Sequence, residues 1–323
     1  MAVYTHLGAE ELARLISEYD VGELISAKGI AEGVSNSNWL VETSGTGAGT
    51  QRFILTMYER RIELSDLPYF LGLLDHLSER SCPVPRTIHD RGGAAYRMER
   101  GKAVAMIEYL PGVSPTRPTP AQASAVGAAL ARIHIEGRDF PLRRANTMGF
   151  ADNLAILEFC GQEALGGIHP ELPALLAPAR EAAALDLSAL PRANIHADLF
   201  PDNVLMLGKQ VTGMIDFYFA CTDVMALDLA TTHAAWCFHA DTNVYDPERG
   251  EALLSAYQAV RPLEEDERAL FGRIAQGAAL RFVASRAEDW LDTPEDALVT
   301  RKDPMEFAAR WRFYAENGDR LLA

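Results

Sequence analysis

Apolar and polar residues follow two different periods along this chain, and the change of period divides it. From residue 24 to 110 apolar positions recur in short alternating runs: SAKGI, SNSNWLVET, QRFILTMYER after a Gly- and Thr-rich loop at 45–50, then CPVPRTIHD, AAYRMER and AVAMIEYL. Alternation of this kind marks half-buried strands, and the polar, glycine-bearing segments between them read as turns, so an antiparallel sheet is expected. Ahead of the sheet, Leu12, Leu15, Ile16 and Tyr19 stand at helical spacing with acidic residues between them. That spacing predicts an amphipathic helix and not a cleaved leader. Inside the strand-rich part, Ser65-Asp66-Leu67-Pro68 predicts a helix start, with Leu67, Leu71, Leu74 and Leu77 along one face. Pro111-Gly112 ends the run of strands.

From Pro118 the period is mainly helical. AQASAVGAALARIH places Val126, Leu130 and Ile133 on one helical face, residues 138–190 read as helix and loop with AREAAALDLSAL as an Ala-rich helix, and 250–317 hold several more helices. Residues 193–195, 204–207 and 211–215 are the exception, reading as three short strands. The polar LFPDN segment between the first two is then a loop, and a turn at Gly208-Lys209 brings Asp216 back beside it. The length of 323 residues is enough for two lobes with separate cores. An α+β fold is expected, with a sheet lobe over residues 1–110 and a mainly helical lobe over 111–323.

Composition changes this picture little. A hydrophobic content of 48% with 23% charged residues excludes a disordered chain. The net charge of −15 argues against a nucleic-acid partner, which requires a basic face. Cys82, Cys160, Cys221 and Cys237 form no C-x-x-C pair, so neither zinc nor a disulfide framework is expected. No apolar run approaches the roughly 18–20 residues of a membrane span, and a reduced cytoplasm is the expected location.

The chemistry is concentrated in NIHADLFPDNVLMLGKQVTGMIDFYFA, which sets out His196, Asp198, Asn203 and Asp216. Phosphoryl transfer from ATP needs a carboxylate to orient the attacking hydroxyl and accept its proton, and oxygen ligands for the magnesium that bridges the phosphates. Asp198 fits the first role. Asn203 and Asp216 fit the second, because Mg2+ takes carboxylate and amide oxygens and is usually held by one or two protein groups plus phosphates and water. His134 closes a helix and invites a reading as a base, but a packed histidine bonded to nearby backbone is the expectation. GIAEGVSNSN offers Gly29 and Gly33 for close backbone approach to phosphate, and Ser35, Asn36, Ser37 and Asn38 as donors.

The pattern His-x-Asp-x-x-x-x-Asn followed by Ile-Asp-Phe resembles the aminoglycoside-phosphotransferase and choline-kinase branch of the protein-kinase-like superfamily. GIAEGVSNSNWLVET, LTMYERR, DFYFACTD and ALRFVASRAEDWL narrow the resemblance to the bacterial homoserine kinases of that superfamily, over nearly the whole chain. It implies a bilobal protein-kinase-like fold, ATP and Mg2+ as cofactors, and homoserine as the small-molecule acceptor. It also implies that the Glu108 carbonyl and Leu110 N–H face adenine, and that Asp228 and His196 support the catalytic loop. Arg281 or Arg286 would take the acceptor carboxylate, with Tyr218 and Trp236 as pocket walls and Asp202 and Asp223 as further candidates. One departure stands out: Thr56 occupies the place where the family carries a third-strand lysine, leaving Lys28, Arg60 or Arg61 to supply a cation. Choline, an aminoglycoside or a sugar as acceptor, or a nucleotide-binding regulator without turnover, are the alternatives.

Overall fold

The computed structural model describes residues 5, 7–30, 36–47, 49–59, 62–293 and 301–322. Helix α1 (Ala9–Ser17) leads into β1 (Leu24–Ile30), β2 (Asn36–Thr43) and β3 (Gln51–Tyr58). Then come α2 (Leu67–Glu79), β4 (Thr87–Ile88), β5 (Arg97–Glu99) and β6 (Lys102–Glu108). The strands form one antiparallel sheet in the order β1-β2-β3-β6-β4, with β5 also paired to β6. Alternation assigns its two faces. Trp39, Val41, Phe53, Leu55, Met57, Val104 and Met106 pack against Leu12, Leu15 and Ile16 of α1. Tyr58, Ala103 and Ala105 meet Leu67 and Leu71 of α2 on the opposite side. Tyr19 is buried as expected but lies beyond α1, bridged to Asp90.

The rest is mainly helical: α3 (Pro120–Glu136), α4 (Phe150–Cys160), α5 (Gln162–Ile168) and α6 (Leu176–Ala183), then α7 (Met225–Trp236), α8 (Pro247–Val260), α9 (Glu265–Asp292) and α10 (Met305–Asn317). Thr119 caps α3 by accepting the Gln122 N–H at 3.3 Å, and Pro120 follows in the first turn, where its missing N–H costs nothing. The Ala-rich segment is helical only to Ala183, because Asp186 accepts the Ser188 N–H at 2.9 Å and turns the chain instead.

Between α6 and α7 lie β7 (Arg192–Ile195), β8 (Val204–Leu207), β9 (Gln210–Met214) and β10 (Cys221–Val224). The three expected strands are present, with β8 and β9 forming a hairpin; β7 pairs with β10, a strand the periodicity did not single out. The chain passes from sheet to helices through residues 109–112, held by mutual Val113–Met206 backbone bonds of 3.0 and 3.1 Å. Gly112 is required there: its φ is +147°, and a Cβ would stand 2.8 Å from the Met206 nitrogen.

Helix α7 is buried along its whole length. Its last carbonyls, out of reach of water, take guanidinium donors: Arg310 bonds Ala234 O at 2.7 Å and Arg249 bonds Trp236 O at 3.1 Å. This rigid helix is the base on which the polar loop after β7 rests. No helix among the described residues is long and apolar enough to cross a membrane.

Candidate active site

The loop between β7 and β8 turns on Ala197, whose φ of +64° costs a non-glycine residue about 1–2 kcal/mol. Two side chains hold it there through three hydrogen bonds. Asp228 of α7 accepts the His196 N–H at 2.7 Å and the Ala197 N–H at 2.8 Å, and Arg281 of α9 donates to the Ala197 carbonyl. The left-handed residue sends the neighbouring side chains in opposite directions. His196 is fully buried, whereas Asp198 opens toward the cleft.

His196 stitches the loop from beneath. Its Nε2 donates to Ile215 O at 2.9 Å and its Nδ1 accepts the Asp198 N–H at 3.2 Å, so both ring nitrogens are committed. Trp236 lies under the same loop, fully buried, and donates to Leu199 O at 2.9 Å. It therefore supports the loop from below and does not line the cleft.

Asn203 donates from Nδ2 to Asp198 O at 2.8 Å, which leaves its amide oxygen uncommitted, and its own carbonyl accepts the Ile215 N–H at 3.0 Å. Asp216 follows at once in left-handed backbone, with φ 65° and ψ 55°. It is exposed to solvent. Burial of its surroundings, then the charges of Asp198 and Asp202, push its carboxyl up to about 6. Asp198 is raised as well, chiefly by burial, against the counter-pull of Arg281. Negative charge is thus concentrated around the free oxygens of Asn203 and Asp216, which suits a divalent cation. No group of three or more His, Cys, Asp or Glu able to hold a metal occurs among the described residues, and a cation shared with nucleotide phosphates does not need one.

Support for the loop continues into α3. His134 is buried and bonded to two side chains, Asp228 Oδ2 at 3.0 Å and Tyr257 OH at 2.7 Å, where backbone partners were expected. Burial would raise the Asp228 carboxyl, but the His134 bond and the charges and amide around it hold it below the usual carboxylate range.

On the sheet side, pairing of Asn36 with Tyr58 and Asn38 with Thr56 puts these four residues on the face toward α2. Thr56 donates to Asn38 Oδ1 at 2.8 Å, and the Tyr58 and Tyr218 hydroxyls meet at 3.3 Å, so the lysine position holds a neutral polar cluster. Ser37 points to the α1 face, where it donates to Glu59 at 2.6 Å. Glu59 in turn holds Lys102. Lys28 is exposed on β1, and its pairing with Leu40 gives it the same face as Thr56. Gly29 pairs with Trp39 one residue before the end of β1. Gly33, Ser35, Arg60 and Arg61 lie outside the described residues. Glu108 ends β6, and Leu110 packs over Gly213, where a Cβ would meet it at 2.8 Å.

Of the two candidate arginines, Arg281 reaches the site. Its Nη2 stands 3.5 Å from Asp198 Oδ1, its guanidinium lies 5.2 Å over the exposed ring of Phe219, and its Nε is buried without a partner. Arg286 is engaged elsewhere, on Glu306 at 2.6 Å and Asp303 O at 2.9 Å. Asp223 is tied to Arg192 and Asn146, while Asp202 is exposed. Sequence reasoning passed over Lys302, an exposed cation whose charge acts on Asp198, and Arg144, which joins Asp66 ahead of α2 (2.6 Å) to Ala220 O (3.2 Å). Neither sits in a recognisable motif; only the fold brings them here.

Comparison with known proteins identifies the family. Residues 26–263 match the model of the phosphotransferase enzyme family (APH). A homoserine kinase of Acidiphilium cryptum is 44% identical over 319 residues, covering 98% of each chain. One from Rhodopseudomonas palustris is 45% identical over 316 residues, 97% of this chain and 94% of that one. Among solved structures, an amicoumacin kinase superposes with a TM-score of 0.70 at 14% identity, over 98% of this chain and 95% of that one, and so shares the fold.

Proposed function

The chain belongs to the phosphotransferase enzyme family and stands among its homoserine kinases, and from that premise we propose that it transfers the γ-phosphoryl group of ATP to the hydroxyl of L-homoserine. The product is O-phospho-L-homoserine, on the route to threonine. The observation that carries the reading is the assembly of Asp198, Asn203 and Asp216 on a loop fixed from behind by Asp228, His196 and Trp236.

Asp198 orients the acceptor hydroxyl and takes its proton as the oxygen attacks phosphorus. Asn203 Oδ1 and the Asp216 carboxylate hold Mg2+, which when bound neutralises charge on the phosphates. Adenine lies against residues 108–110, with the Glu108 carbonyl and Leu110 N–H as its partners. Asn36 and Asn38, on the face of β2 shared with Thr56, and Gly29 near the end of β1 face the phosphates. No lysine serves at Thr56; Lys28 on β1 and Arg52 on β3 are exposed cations on that sheet face.

Homoserine carries a carboxylate and an ammonium on one carbon. Two cations act on Asp198, Arg281 and Lys302. Arg281 is already bonded to the loop, so Lys302 takes the carboxylate, and exposed Asp202 offers the ammonium a partner. A quaternary ammonium acceptor would need free aromatic faces. Here the Phe219 face carries Arg281 and Trp236 is buried, which argues against choline. The test is ADP release from Mg-ATP with and without L-homoserine: release that depends on homoserine supports the reading, and release that ignores it counts against it.

A further inference from the structure

A line of buried polar groups runs away from the catalytic loop through four helices, α7, α3, α8 and α9. Arg261, just past α8, donates through Nη2 to both oxygens of Glu267 at 2.9 and 2.8 Å and through Nη1 to the Tyr257 hydroxyl at 3.1 Å. Tyr257 on α8 meets His134 Nδ1 at 2.7 Å, and His134 Nε2 meets Asp228 at 3.0 Å. Tyr257, His134, Asp228 and Glu267 are fully buried and Arg261 nearly so, so water cannot substitute for any partner.

Counting protons gives the line a direction. A guanidinium only donates, so the Tyr257 oxygen is an acceptor toward Arg261 and has one proton left to give. That proton goes to His134 Nδ1, which must be bare. The ring proton then sits on Nε2 and is donated to Asp228, whose oxygens also receive the His196 and Ala197 amides. Burial holds the Tyr257 hydroxyl above its ordinary range and His134 below its own, so neither group changes charge to escape the arrangement.

We infer that Tyr257 is a positioning residue for phosphoryl transfer: its hydroxyl fixes His134 in the Nε2–H tautomer, and His134 fixes the Asp228 carboxylate that sets the backbone of residues 196–198. The opposite tautomer would turn a bare Nε2 against a carboxylate oxygen, two acceptors in contact. Asp228 would then shift, and with it the left-handed turn that aims Asp198. Arg261 and Glu267 hold the Tyr257 oxygen in place by making it an acceptor. The effect on turnover rests on the phosphotransferase reading, whereas the tautomer does not.

The experiment uses the full chain labelled with 15N-histidine, with His134 assigned by comparison with His134→Gln. Long-range proton–nitrogen correlation at neutral pH is expected to show a neutral ring protonated at Nε2. In Tyr257→Phe that signature is expected to be lost, and kcat to fall about 10- to 100-fold, the scale of a displacement of up to about 1 Å in a catalytic group, with KM for ATP unchanged. A wild-type ring protonated at Nδ1 or at both nitrogens overturns the inference, and that spectrum decides even if the variant does not fold. So does a Tyr257→Phe enzyme with wild-type kcat. Wild-type protein with the stated tautomer but no turnover of homoserine would count instead against the acceptor.

Discussion

Arg281 and Asp198 face each other across 3.5 Å, the arginine nearly buried and the aspartate open to the cleft, while the same guanidinium donates to the carbonyl of Ala197. One side chain on the long helix α9 therefore holds both the backbone turn and the Asp198 carboxylate.

Replacement of Arg281 by lysine is expected to lower kcat about 10- to 100-fold, because an ammonium cannot serve both oxygens from one planar group and the carboxylate drifts. KM for ATP should not change. A carboxylate clamp on the acceptor would instead give a higher KM for homoserine at unchanged kcat, so steady-state kinetics with each substrate varied in turn separates the two roles.

Asp216→Ala is expected to abolish productive Mg-ATP binding, since the neutral amide of Asn203 is then the sole ligand left. Titration of magnesium against nucleotide-bound protein checks this. An unchanged metal requirement would move the ligand elsewhere.

Gly127 lets α3 and α8 touch: a Cβ there would lie 2.2 Å from the Leu253 carbonyl oxygen, a backbone atom that cannot swing aside. Gly127→Ala should cost about 1–3 kcal/mol of stability by overpacking. It should also part His134 from Tyr257, so kcat falls with stability. Denaturant unfolding beside kcat measures both, and a variant of wild-type stability would refute the close packing.

Much of this was legible in sequence because the decisive signals are local. Alternation gave the strands of the sheet, and the interval from Asp198 through Asn203 to Asp216 gave the candidate residues that the fold brings together, since both are set by neighbours in the chain. What escaped depends on contacts between distant segments. Arg281 and Arg286 are five residues apart on one helix and equivalent in sequence, yet one faces Asp198 and the other Glu306. Trp236 was read as a pocket wall because aromatic residues near a motif invite it; a wholly buried α7 makes it a support. Ser37 was grouped with its neighbours as a phosphate donor, but strand pleating turns its side chain to the opposite face of the sheet.

Acid should weaken the fold earlier than carboxylates alone would. His233 is fully buried with no charged partner, and burial lowers it from 6.5 to about 3. Above 6.5 both folded and unfolded forms are neutral and the group contributes nothing. Between 6.5 and about 3 the unfolded chain takes up a proton that the folded one refuses, so stability falls with pH by up to about 1.4 kcal/mol per unit from this group. The Asp216 carboxyl, raised to about 6, opposes this by taking up a proton in the folded state over the same range. Urea midpoints between pH 7 and pH 5 are therefore compared in Asp216→Asn, where a flat profile would contradict it.

The central claim, that this loop moves phosphate to homoserine, is tested most directly by comparing kcat/KM on L-homoserine, L-serine and choline with Mg-ATP, for wild type and Asp198→Asn, with the phosphorylated product identified by mass. Homoserine should be strongly preferred, serine failing mainly in kcat because its hydroxyl is held about one methylene away from Asp198. Asp198→Asn should still bind nucleotide but lose about 10²–10⁴ in kcat. Equal turnover of choline and homoserine, or an Asp198→Asn enzyme with wild-type kcat, would contradict the account.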